Sequence, residues 1–129
     1  MSNERIEVIA ANDAFYRAFE KKDLEAMSLV WSQGTGSLCI HPGRNALRGW
    51  RDIEFSWLQI FRSTKYLEIE TEIISVEIRD KIAYLILIEK LLQISGGRSV
   101  QAQSMATNIF EKMASKWYLV HHHGSPIMG

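Results

Sequence analysis

Six polar side chains in this 129-residue chain are of types that move protons or hold ligands: His41, Glu89, Asn108 and the run His121-His122-His123. An imidazole with a pKa of about 6.5 titrates near neutrality and serves as acid, base or metal ligand. An amide donates a hydrogen bond without any pKa shift. Glu89 interrupts an apolar strand face of Ala83, Leu85, Leu87 and Leu91. A carboxylate so placed has its pKa raised and can act as acid or base; the plainer reading is an ion pair with Lys90 or Arg98. Side chains alternate along a strand, so counting from the apolar Trp117 and Leu119 places His121 and His123 inward. The same count turns His122 outward. Joined by His41, a His-x-His pair would supply three nitrogen ligands, enough for a zinc site with one open position. That arrangement rests on spacing alone, and no metal is assigned to it.

The elements that must position these residues follow from hydrophobic period. Val8, Ala11, Phe15, Ala18 and Phe19 recur at spacings of three and four and predict a helix over 4–21. Asp23 suits the cap of a second helix carrying Leu24, Met27, Val30 and Trp31. A short strand over 37–40 ends at His41-Pro42-Gly43, because proline cannot donate to a ladder. Trp50, Ile53, Trp57, Ile60 and Phe61 predict a third helix. From Tyr66 the period becomes two. Turns at Arg79-Asp80 and Gly96-Gly97 separate strands starting at 66, over 81–94 and 99–112, and a last one over 116–123. Three helices followed by an antiparallel meander make an α+β pattern. The strand over 81–94 is apolar on both faces, so a second subunit is expected to cover the face the helices leave bare.

Bulk properties narrow the classes. Residues 1–129 suffice for one domain. Fifteen basic residues balance fifteen acidic ones, which removes the electrostatic footprint of a general nucleic-acid binder. Cys39 is the only cysteine, so no internal disulfide forms. The first residues lack the apolar core of a signal peptide, and "IAYLILI" (82–88) is too short to span a bilayer. A cytoplasmic setting, without membrane or nucleic-acid partners, is the expectation.

"FYRAFEKKDLEAM" (15–27), "CIHPG" (39–43), the helix around Trp57, "ATNIF" (106–110) and "WYLVHHHGSP" (117–126) together resemble SnoaL-like proteins of the nuclear-transport-factor-2-like (NTF2-like, ketosteroid-isomerase-like) superfamily. The resemblance implies a cone-shaped, strongly curved antiparallel sheet wrapped around N-terminal helices, with a hydrophobic pocket, in a homodimer formed through the sheet face. The superfamily holds isomerases, cyclases, dehydratases and non-enzymatic association domains, so fold does not decide function. By resemblance to the ketosteroid isomerases, His41 takes the place of the general base and Asn108 that of an oxyanion donor. Their helix-1 tyrosine falls on Phe15, which cannot donate, and Tyr16 is turned by about 100° on a helix. Phe15, Tyr16, Trp57 and Glu89 are candidate ligand-binding residues; His41, Asn108, His121 and His123 are candidate catalytic ones. Two expectations follow. One is a cofactor-independent isomerase, dehydratase or cyclase working by proton transfer; the other is a non-catalytic domain that binds a small apolar or anionic molecule or assembles as a dimer.

Overall fold

The structure, a computed structural model, describes residues 2–128, with only the backbone described for Ser2 and Ser95. Three helices, α1 (Ser2–Glu20), α2 (Leu24–Val30) and α3 (Trp50–Ser63), pack on six strands. These are β1 (Leu38–Ile40), β2 (Leu47–Arg48), β3 (Tyr66–Arg79), β4 (Ile82–Ser95), β5 (Arg98–Met113) and β6 (Lys116–Pro126). They form one sheet in the order β2-β1-β6-β5-β4-β3. The α+β class and the helices-then-meander order are as read from sequence. The sheet is mixed, however: β1 runs parallel to β6, and the two-residue β2 pairs with β1.

Local chemistry accounts for the joints. Asp23 caps α2 by accepting the Ala26 N–H at 3.0 Å, satisfying one of the donors that a helix start leaves bare. At the β4–β5 hairpin Gly96 and Gly97 both take positive φ, 59° and 79°, a backbone shape that costs other residues steric strain. The edge strand β3 is shielded by α1. Glu20 Oε2 accepts the Ile69 N–H at 2.8 Å, and Arg17 donates to the Ile69 carbonyl at 3.3 Å. Lone edge groups that could template another chain are thereby occupied.

The core lies between α1, α3 and the inner face of the sheet. It gathers Phe15, Phe19, Trp31, Ile53 and Trp57 against Leu85, Leu87, Ala106, Phe110 and Leu119. Along β4 the inner positions Ala83, Leu85, Leu87 and Glu89 are all buried, while Tyr84, Ile86 and Ile88 point out and are half-buried. Along β5 the inner set is Ser104, Ala106, Asn108 and Phe110.

Alternation fails once, in β6. Phe110 pairs with Leu119 but the next partner pair is Ile109 with His121, so Val120 is an extra residue without a partner. A bulge of this kind shifts the phase of every residue beyond it. Trp117 and Leu119 face inward as expected, and then His122 and Gly124 do. The expectation that His121 and His123 line the interior is therefore overturned: His122 is buried, His121 is half-buried and His123 is exposed.

Candidate active site

A chain of hydrogen-bonded side chains runs through the interior, supplied by α1, β4, β5 and β6. Asn108 sits at its centre, beside His122 on the neighbouring strand because the two are register partners. Its Nδ2 donates to Asn12 Oδ1 at 2.9 Å and to the Tyr16 hydroxyl at 3.1 Å. Both amide hydrogens are thus used, and Asn108 Oδ1 accepts from His122 Nδ1 at 2.6 Å. The Tyr16 hydroxyl passes its own hydrogen to Glu89 Oε2 at 2.6 Å. His122 Nε2 stands 3.8 Å from the same Glu89 oxygen, beyond hydrogen-bond range.

Burial sets the charge states. Loss of water pushes the Glu89 carboxyl up to about 7, against a smaller opposing effect of the Tyr16 hydrogen bond. It pushes His122 down to about 3, with the neighbouring histidines adding in the same direction. Tyr16 is raised well above its ordinary value by burial and by the Glu89 charge. At neutral pH the interior is thus nearly free of fixed charge, with one carboxyl poised to gain or lose a proton. The ion pair of Glu89 with Lys90 or Arg98 does not form; Lys90 points outward and lies 3.8 Å from Glu72.

His41 closes one side of this cluster. Its Nε2 lies 3.0 Å from Ser56 Oγ, and Ser56 gives its hydroxyl hydrogen to the Ile53 carbonyl at 2.7 Å. The imidazole is therefore the donor of that bond, leaving Nδ1 as its free lone pair. Burial, and then the Arg44 charge, lower His41 to about 4. Its ring packs edge-on to Trp57 at 4.9 Å. The Cys39 thiol, 3.7 Å from His41 Nε2, is driven far above its usual range by burial and is not a thiolate.

Aromatic rings complete the wall. Phe15 contacts Tyr16, Trp57 and His122 with ring centres 4.8, 5.6 and 4.9 Å away. The Trp57 indole N–H is buried and has no acceptor among the described residues. Gly124 lets the His41-Pro42-Gly43 turn come close. A Cβ there would stand 3.0 Å from Pro42 Cγ and 3.7 Å from Glu89 Oε1. Four concavities on the surface are lined by other residues, and none of these four includes His41, Glu89, Asn108 or His122. Glu89, Asn108 and His122 are buried, and His41 is half-buried.

The site thus joins Asn108, Glu89, Tyr16, Phe15, Trp57 and His41 from the sequence reading, and separates His121 and His123 from them. It adds His122, Asn12, Cys39 and Ser56. Asn12 had a signal: it lies four residues before Tyr16, one helical turn away on the same face. Tyr16 reaches the interior despite its 100° offset from Phe15, because the curved sheet surrounds more of α1 than one narrow stripe. Among the described residues no group of three or more His, Cys, Asp or Glu gathers as a metal site, so the zinc geometry suggested by spacing is not assembled.

Comparison with known proteins follows the same lines. A profile of the SnoaL-like domain matches residues 8–129. The chain is similar to the crystal structure of a candidate dehydratase of the NTF2-like family from Streptomyces avermitilis, at 26% identity with a TM-score of 0.93, covering 100% of both chains. It is also similar to a candidate calcium/calmodulin-dependent protein kinase type II association domain from Thiobacillus denitrificans, at 29% identity and a TM-score of 0.83. That match covers 92% of this chain and 94% of the other. Among curated proteins it resembles the F-box protein SKIP8 of Arabidopsis thaliana, 24% identical over 121 residues and 94% of this chain. The chain spans 50% of the length of that relative. No helix among the described residues is long and apolar enough to cross a membrane.

Proposed function

The chain belongs to the SnoaL-like family of NTF2-like proteins, and on that premise we propose that its interior performs proton transfer on a small carbonyl compound. The reaction class is that of a cofactor-independent isomerase, dehydratase or cyclase. Glu89 is the acid–base group, Tyr16 and Asn108 orient it, and the rings of Phe15 and Trp57 hold the apolar part of the substrate.

The observation that carries this reading is the buried Glu89 carboxyl, bonded to Tyr16 at 2.6 Å and raised to about 7. A general acid or base works best when its pKa lies near the working pH, and burial is a common means of lifting a carboxyl there. His41 suits the part of base less well, since a group lowered to about 4 is a weak base. It serves instead as a neutral wall of the site. Similarity to a candidate dehydratase supports the same class.

The test is α-proton exchange. Enolisable ketones incubated with the protein in D2O should lose their α-proton NMR signals faster than in buffer. Glu89→Gln should slow that exchange by about a hundredfold or more. Exchange no faster than in buffer across such ketones would overturn the reading.

A second reading has its own support. The outward face of β4 carries Tyr84, Ile86 and Ile88, and the chain is similar to a candidate association domain. A non-catalytic role as a homodimer built through this sheet face accounts for an apolar outer surface that proton transfer does not need. A small apolar or anionic ligand inside would fit either role.

A further inference from the structure

We infer that His121 and His123, together with the same pair from a second copy of the chain, bind one divalent metal ion of the zinc type at a two-fold axis on the outer sheet face. The inference rests on the assembly reading above and adds to it what joins the two copies.

The bulge at Val120 takes His121 and His123 out of the interior, and the pairing of the strands shows where it puts them. Two rows of outward residues run across β4, β5, β6 and β1. One is Tyr84, Ile109, His121 and Leu38; the other is Ile86, Thr107, His123 and Ile40. Their neighbours along the strands, Ala83, Leu85, Asn108, His122 and Cys39, are all buried on the inner face, which fixes both rows on the outer one. The two imidazoles lie beside each other on a middle strand of the sheet, with ring centres 6.3 Å apart. Neither row holds another acid or base. Arg48 comes next beyond Leu38 and donates to the Thr35 carbonyl at 3.4 Å; Glu77 comes next beyond Tyr84 and pairs with Arg79 at 3.0 Å. Neither imidazole takes part in a hydrogen bond among the described residues.

A strand that sets two histidines on one face offers two nitrogen lone pairs to one ion. A modest turn of the side chains brings one nitrogen of each ring to a shared cation at about 2.0–2.1 Å. Two nitrogens leave a zinc ion half coordinated, since its structural sites take four ligands in a tetrahedron. One chain therefore does not complete the site, in keeping with the lack of any group of three candidate ligands among its described residues. A second copy does. A two-fold axis through the point between His121 and His123 returns the same pair from the opposite side. Sheets stacked face to face lie about 10 Å apart, so the midplane is about 5 Å from each, within the reach of an imidazole. The aliphatic residues of both rows then bury one another around the ion. Without it the ring nitrogens would be buried there unpaired, which is costly. Imidazole ligands also select the metal, because calcium and magnesium take oxygen.

The test uses the untagged chain freed of metal by a chelator. Zinc should bind at one ion per two chains in calorimetric titration, as a site on a two-fold axis requires. It should lower the dimer dissociation constant at least about tenfold, read by light scattering across dilutions. Cobalt(II) in place of zinc should give the intense visible absorption of a tetrahedral centre. His121→Ala and His123→Ala should each abolish these effects of the metal while the chain stays folded. If His121→Ala does not fold, His123→Gln, at an exposed position, decides in its place. One zinc per chain overturns the inference. So does binding that survives both substitutions, and so does a dissociation constant indifferent to zinc. The assembly reading is judged apart from it. A metal-free dimer that Ile88→Glu breaks and zinc does not tighten keeps that reading and removes this site, whereas a chain that is monomeric with and without zinc removes both.

Discussion

His122 Nδ1 lies 2.6 Å from Asn108 Oδ1 in the buried interior, although alternation from Trp117 along β6 turns His122 to the outside. The unpaired Val120 between Leu119 and His121 accounts for the reversal. Stability should report it directly. His122→Ala leaves the Asn108 oxygen without its donor and opens a cavity, and it should cost about 2–4 kcal/mol. His123→Ala, at an exposed position, should stay within about 0.5 kcal/mol of the parent. Urea unfolding of the two variants checks this, and equal losses would contradict the inward placement.

This same strand marks the boundary of what was legible beforehand. Helices, strands and hairpins were readable because each has a period or a turn residue of its own, as with Asp23 at the start of α2 and Gly96-Gly97 between β4 and β5. A bulge residue such as Val120 has no such mark: it is an ordinary strand former, and only pairing with β5 reveals that it is extra. The parallel pairing of β1 with β6 was hidden for a related reason, since three residues have too little pattern to choose a neighbour. Glu89 was legible as an interruption of an apolar face. Its partner was not, because contact with Tyr16 joins residues 73 positions apart.

The pH dependence of stability follows from the same groups. In the unfolded chain Glu89 releases its proton near 4.5, whereas the fold keeps it to about 7. Its contribution is therefore full below 4.5 and is lost as pH rises towards 7, a change on the order of 3 kcal/mol. His41 and His122 act in the opposite sense, since both are held below the ordinary 6.5 by burial. Stability from these two is lost as pH falls below 6.5. Urea midpoints measured from pH 4 to 8 should rise above pH 6.5 in Glu89→Gln relative to the parent, and the loss on acidification should persist in that variant.

An activity profile separates the two candidate bases. If Glu89 removes the proton, the rate of α-proton exchange should climb with an apparent pKa of about 7. If His41 does so, the climb should instead fall near 4. His41→Ala would abolish exchange in the second case. In the first it should lower the rate modestly, through the lost Ser56 bond and the lost packing on Trp57.

The turn over the site should be sensitive to a single methyl group. Gly124→Ala places a carbon 3.0 Å from Pro42 Cγ and 3.2 Å from Pro42 Cδ, tighter than most carbon contacts in proteins. Relief requires the His41-Pro42-Gly43 turn to move away from β6, at a cost of about 1–3 kcal/mol. Hydrogen exchange at Gly43 and Arg44 should accelerate in this variant while the amides of β4 and β5 keep their protection. Unchanged exchange at the turn would mean that Pro42 is not seated against Gly124.

Assembly through the sheet provides the remaining test. Ile86 and Ile88 sit side by side on the outer face of β4, flanked across the β5 ladder by Met105 and Thr107. A charge here disturbs no inner contact, because the inner positions Leu85, Leu87 and Glu89 alternate with them. Ile88→Glu should therefore leave the monomer folded and, if two copies meet on this face, shift the protein from dimer to monomer in light scattering at micromolar concentration. A repulsive charge at each of two symmetry-related positions acts twice at such an interface. A parent protein that is already monomeric under these conditions would remove the assembly reading and leave the interior as the remaining site of function.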